Sequence, residues 1–260
     1  MPEQLPSSVI YEYPLQERFR TYLRLEHSFK QLHSALAVLG KHPEPFFSAL
    51  FAAQELIERS DIRTELSKDL DQQRLFMKRW EQHPQIDQTA LQGALQSVLA
   101  AADNLQQVPK ELRLIKDDRF LASIRNRFAQ PGVTGLFELP QLQLWLQQPS
   151  ATRQQHAQQW LDCFAPIAAA VELQLELTRQ QGQFSDVVAN NGFWQESCEP
   201  LALLRIKIAA EHACYPVISG HRQRFTLRLM TLAEGEAKQT DAVSDNVPLA
   251  IARCPLLTNT

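Results

Sequence analysis

Apolar residues in this chain recur every three or four positions in segments between Leu15 and about Gln181, and every second position in two stretches after Pro200, 203–209 and 221–230. A helix with 3.6 residues per turn and a strand with alternating faces are the backbones that give these two periods. Helices first and strands last is the order of an α+β fold rather than of repeated βαβ units. With 260 residues the chain can bury a substantial core, in one large domain or two modest ones.

Prolines, glycines and caps divide the two regions. Residues 9–13 are β-branched and aromatic and stop at Pro14, which predicts a short strand ahead of a first helix from Leu15 to about Leu39. A second helix is predicted over 45–59. A third follows Ser60 or Asp61 with Ile62, Leu66, Leu70, Phe76, Met77 and Trp80 inward. A fourth, capped by Asp87, buries Leu91, Leu95, Val98, Leu99 and Leu105 and runs to Pro109, and a fifth covers 117–129. Residues 130–135 form a turn and 136–139 are briefly extended. Pro140 opens a short helix, and Ser150 caps one long helix to Gln181 that Pro166 should kink.

Residues 182–200 read as a loop with a turn at Asn190-Asn191-Gly192, and 247–253 as an edge strand, because Pro248 cannot donate to a central ladder. The N-terminal strand is predicted to join the C-terminal sheet. The expected organisation is a mostly helical domain at 14–181, a mainly antiparallel β-domain made of 9–13 and 182–254, and flexible termini at 1–8 and 255–260.

The strands carry the chain's most distinctive charge pattern. Leu204, Ile206 and Ile208 alternate with Arg205 and Lys207, and Phe225, Leu227 and Leu229 alternate with Arg224 and Arg228, with Arg222 just upstream. Between Leu201 and Thr231 there are five Lys/Arg against one acid, Glu211, in a chain whose net charge is −3. Two readings are open: a solvated face paired with acids such as Glu234 and Glu236, or a face that receives an anionic partner. Arginine predominates over lysine, and its planar fork suits carboxylates. Arg18, Arg20, Arg24, Arg59 and Arg63 sit at helical spacings that equally fit surface ion pairs.

Chemistry of other kinds is not signalled. No phosphate-binding glycine motif, nucleophile elbow, zinc-protease pair or calcium loop occurs, so no cofactor or metal is expected. Ser219-Gly220-His221 offers a hydroxyl and an imidazole without an orienting acid, which argues against an enzyme. Cys163, Cys198, Cys214 and Cys254 lack metal-ligand spacing and are expected to be free thiols in a reducing cytoplasm. No apolar run approaches the roughly 18 residues of a membrane span. The small negative net charge gives no general attraction to nucleic acid. An alternative reading is nonetheless a single-stranded nucleic-acid binder that stacks bases on Phe193 or Trp194.

Several strings together resemble the ZapD family of cell-division factors, partners of the tubulin-like GTPase FtsZ. They are Tyr11-Glu-Tyr-Pro-Leu-Gln-Glu-Arg18, Arg20-Thr-Tyr-Leu-Arg-Leu-Glu26, Arg63-Thr-Glu-Leu66, Asp118-Arg119, Asn191-Gly-Phe193, and Tyr215-Pro-Val-Ile-Ser-Gly-His221 running into Arg224-Phe-Thr-Leu-Arg228. The resemblance implies a homodimer without catalytic activity, in the cytoplasm and recruited to midcell. It implies binding of the FtsZ C-terminal tail at a basic pocket, and bundling of filaments at the division ring. The family's basic strand positions fall on Arg224 and Arg228, with Arg205, Lys207, Arg222 and His221 as neighbours; its basic helical positions fall on Arg24 and Arg119. Gln143 stands where the family often has a histidine.

Overall fold

The computed structural model describes residues 7–81, 83, 87–128, 136–221, 224–232 and 241–257. The chain divides into two compact units, Thr21–Leu175 and a second made of Met1–Arg20 with Glu176–Thr260. Among the described residues the helices are α1 (Glu17–Leu36), α2 (Glu44–Arg59), α3 (Ile62–Lys78), α4 (Gln88–Asn104), α5 (Val108–Lys116), α6 (Arg119–Phe128), α7 (Pro140–Leu146), α8 (Ser150–Asp162) and α9 (Ala165–Gln181). The division between units falls inside α1 and inside α9.

Aromatic burial organises the helical unit. Phe46, Phe47 and Phe51 share the buried face of α2. Fully buried Phe47 is ringed by Phe120 and Phe128 of α6, Trp145 of α7 and Trp160 of α8, at centroid separations of 5.6–6.0 Å. Such pairs add about 0.5–1.5 kcal/mol each beyond their area burial. Asp87 caps α4, its carboxylate accepting from the backbone N–H groups of Thr89 and Ala90 at 2.9 and 3.1 Å.

Departures from the sequence reading follow the prolines. The predicted fourth helix ends at Asn104, and Pro109 sits in the first turn of the separate α5. The long helix expected over 150–181 breaks at Cys163–Phe164, which places Pro166 in the first turn of α9 rather than at a kink. A proline has no N–H to lose there, so it marks a start instead of bending an interior. Ser150 begins α8 without capping it, and Leu136–Glu138 is a short 3-10 turn rather than extended chain. Trp80 and Leu99, expected to point inward, are 39% and 49% exposed.

The other unit holds two antiparallel sheets. The first has the order β1-β4-β8-β2, from β1 (Ser8–Pro14), β4 (Leu201–Ala209), β8 (Val247–Pro255) and β2 (Phe184–Ala189). The second has the order β3-β6-β5, from β3 (Phe193–Ser197), β6 (Arg224–Thr231) and β5 (Cys214–His221), with the short β7 (Asp241–Ala242) also on β6. The N-terminal strand does join the C-terminal chain, pairing with β4 from Ser8↔Ala209 to Pro14↔Leu203. Leu204, Ile206 and Ile208 of one sheet and Phe225, Leu227 and Leu229 of the other lie in a single core. The two inward faces therefore pack on each other. On the other side of the first sheet Leu203, Ala252 and Cys254 are also buried, whereas the other side of the second sheet carries exposed residues.

Two expectations for this unit are corrected. Residues 182–200 contain β2 and β3 rather than a loop. The expected turn lies between them, with Asn191 at φ 50° and Gly192 at φ 65°. The strand over 247–255 lies inside its sheet, not at an edge. Its β4 partners end at Lys207↔Ala250, so Pro248 lies beyond the last pair on that side and its missing N–H leaves no gap in that ladder.

Candidate functional site

The two basic strands belong to different sheets, which separates residues that look equivalent in sequence. Arg205 and Lys207 point out from the β1-β4-β8-β2 sheet, whereas Arg224 and Arg228 point out from the β3-β6-β5 sheet. Because the core lies between the sheets, these are opposite outer surfaces, and the expectation that all of them share one face is overturned.

Arg205 is held within its own sheet. Its cross-strand partner on β1 is Glu12, whose Oε1 accepts from Arg205 Nε at 3.0 Å. Arg179 of α9 approaches the same carboxylate, Nε donating to Oε1 at 2.9 Å and an Nη to Oε2 at 2.7 Å. The Arg205 guanidinium also lies 5.4 Å from the Phe184 ring centroid. Two guanidiniums on one half-buried carboxylate form a tie between α9, β1 and β4, not an empty anion site. Lys207 is exposed, beside Ile10 and Ala250, with Asp186 next to Ala250 in the same row.

The β3-β6-β5 sheet differs. Arg224 and Arg228 are exposed, and among the described residues neither makes an ion pair. They lie four residues apart on one strand face, about 13 Å at roughly 3.3 Å per residue. Register builds the rest of the surface in rows: Phe193, Arg228 and Val217 form one, Gln195, Thr226 and Ser219 the next, and Ser197 with Arg224 a third. None of these residues is acidic. Phe193 is 38% and Val217 50% exposed. The Arg228 guanidinium lies 5.7 Å from the Phe193 ring centroid, a cation–π contact that orients it while leaving its N–H groups available.

The strand acid that could have neutralised this face is turned away. Glu196 faces the core side at the end of the sandwich, where Arg253 of β8 grips it with two 2.6 Å bonds and Trp194 Nε1 donates to it at 3.2 Å. The Arg253 hydrogen bond chiefly holds the Glu196 carboxyl below the usual range, against the opposing effect of its burial. Trp194 therefore also points inward, so a base-stacking platform would have Phe193 alone.

The other sequence candidates are placed as follows. His221 of β5 pairs through its backbone register with Arg224, and its side chain, like all of Arg222, lies outside the described residues. Arg24 of α1, Arg119 at the start of α6 and Gln143 of α7 are exposed on the helical unit. Arg20 pairs with Glu17 and Arg59 with Glu55 as surface ion pairs. Phe193 and Val217 were not singled out as members of the basic face. The period-two pattern of 215–221 and the register of 193 opposite 228 were the signals that could have found them.

The described part of this face presents guanidinium, phenyl, aliphatic and hydroxyl groups, a surface suited to receiving an anion. All four cysteines are free, and burial pushes the Cys163 and Cys254 thiols up to about 11, which leaves them protonated and unreactive near neutrality. Among the described residues no cluster of three or more His, Cys, Asp and Glu could hold a metal, and no described helix is long and apolar enough to cross a membrane.

Comparison with known proteins agrees with the strings noted above. The family profile of the cell division protein ZapD matches residues 23–228. Curated proteins named cell division protein ZapD align along most of the chain. One from Idiomarina loihiensis is 50% identical over 248 residues, 95% of this chain and 96% of its own length. One from Shewanella sp. strain MR-7 is 39% identical over 86% of this chain and 91% of its own, and one from Vibrio vulnificus strain CMCP6 is 37% identical over 89% and 94%. The chain belongs to the ZapD family of cell division proteins.

Proposed function

We propose that this protein is a non-enzymatic cross-linker of FtsZ filaments. The outer face of the β3-β6-β5 sheet receives the C-terminal tail of FtsZ, and a homodimer presenting two such faces bundles filaments and stabilises the division ring at midcell, in the cytoplasm. The observation that carries this reading is the pair Arg224 and Arg228, exposed on a face that has no acid among its described residues, in a net acidic protein.

The energetics suit the role. A disordered tail that orders on binding gives modest affinity per unit area, and two faces on one dimer raise the whole by effective concentration. Contacts between exposed charges weaken as salt shortens the Debye length below about 10 Å, so bundling should decline between roughly 0.1 and 0.5 M salt. Arg24 and Arg119 are auxiliary contacts in this reading, and Arg205 is a structural residue.

Co-sedimentation with FtsZ filaments tests the proposal. The Arg224→Glu/Arg228→Glu variant is expected to fold normally, bind tail peptide weakly and leave filaments unbundled. Bundling at the wild-type level by the folded variant would remove these two residues from the mechanism.

A further inference from the structure

The strands β1 and β5 are edges of their respective sheets, and the seam between them leaves a cavity of about 440 Å³. Val9, Tyr11, Ile208, Cys214, Tyr215 and Leu232 line it. We infer that this seam groove takes a large apolar side chain from the same extended acidic partner whose carboxylates meet Arg228 and Arg224. The inference rests on the proposed role of the β3-β6-β5 face and adds to it an apolar anchor point.

The groove presents carbon. The Tyr11 hydroxyl is directed at the Cys214 carbonyl, at 3.5 Å, and the Cys214 side chain is buried. Leu232 is 74% and Val9 37% exposed, so a large aliphatic surface stands open beside a cavity that fits one bulky side chain.

Register ties the groove to the arginines. Tyr215 pairs with Met230, Val217 with Arg228, and the β6 face continues through Thr226 to Arg224. Arg228 and Arg224 thus stand two and six residues along β6 from the Tyr215 row, about 7 and 20 Å at roughly 3.3 Å per residue. Both offsets are even, so Tyr215, Arg228 and Arg224 share the outer face. The groove opens beyond Tyr215 at the β5 edge, where Val9, Tyr11, Ile208 and Cys214 face the core side, and an extended peptide would follow the outer face to that edge. It would carry a bulky apolar residue with carboxylates two and six positions away. The absence of acids from the described part of this face supplies the charge complementarity for such an occupant.

Fluorescence anisotropy with the full-length protein and a labelled FtsZ C-terminal tail peptide provides the test. Its companions are peptides with each bulky apolar residue replaced in turn by serine. Leu232→Ser removes exposed surface from a loop, and Ala210→Trp fills the groove from Ala210, an exposed residue that also lines it. Each is expected to weaken binding about tenfold with an unchanged salt dependence. Arg228→Gln should weaken binding and flatten the salt dependence. One serine peptide should bind wild type weakly and the Ala210→Trp variant no more weakly still, and the Val9, Ile208 and Leu232 methyl resonances should shift on titration.

If both groove variants bind the peptide as wild type while Arg228→Gln does not, the groove is overturned and the basic face stands. If Arg228→Gln is also without effect, the site reading falls as well. If Leu232→Ser shifts the protein from dimer to monomer in sedimentation without altering peptide binding, the groove belongs to a second copy and the inference is overturned.

Discussion

Arg205 and Arg228 occupy equivalent places in their strands, each with apolar neighbours on both sides, yet one is tied down and the other is open. The difference is Glu12, 193 residues away from Arg205, which no local spacing reveals. Alternation was legible in the sequence; the distant partner was not. Glu196 makes the same point with a measurable consequence. Arg253 holds its carboxyl below the usual range, and a carboxylate with a depressed folded-state pKa stabilises the protein above its unfolded value near 4.5 and loses that contribution as pH falls through the folded one. Glu196→Gln should therefore lower stability to urea by about 1–3 kcal/mol at pH 7. The gap between variant and wild type should hold down to about pH 4.5 and close below it. A gap that stays constant to pH 3 would show that the pair acts by packing rather than charge. Arg125 holds Glu58 down in the same way, so the helical unit shares this acid sensitivity.

Among the elements, long amphipathic helices and the alternating strands β4 and β6 could be recognised from periodicity, because one face of each meets a core. β2 and β3 could not. Ser185 and Asp186 in one, and Gln195 and Glu196 in the other, interrupt an apolar pattern, and Glu196 faces the core side because Arg253 waits there. What the sequence did mark was the turn joining them, whose need for glycine is physical. Gly192 has φ 65°, and a Cβ on it would stand 2.4 Å from the Val243 carbonyl oxygen. Gly192→Ala should destabilise by about 2 kcal/mol or more, from left-handed backbone strain and that overlap together. Gly93, exposed within α4 with nothing within 4 Å of an added Cβ, should respond oppositely. Gly93→Ala is expected to stabilise by about 0.5–1 kcal/mol through helix propensity. Urea unfolding of the two variants checks both signs, and equal effects would contradict the assignment of their backbones.

At the scale of the whole molecule, a net charge of −3 means that bulk electrostatics cannot draw an acidic partner to this protein. On the proposed reading attraction comes from a local face, which the fold forms by placing the two basic strands in separate sheets, pairing Arg205 internally and turning Glu196 away from the surface of Arg224 and Arg228. Position should then matter more than total charge. Lys41 and Lys110 are exposed on the helical unit, so Lys41→Glu/Lys110→Glu alters net charge by the same amount as Arg224→Glu/Arg228→Glu. The lysine variant should bundle FtsZ filaments nearly as wild type at about 0.1 M salt, with at most a modest fall in association rate, whereas the arginine variant should not bundle at all. Turbidity of FtsZ assembled with each variant across a salt series separates the cases. Equal losses from the two variants would mean that overall charge governs the encounter, and the basic face of the β3-β6-β5 sheet would no longer account for recognition.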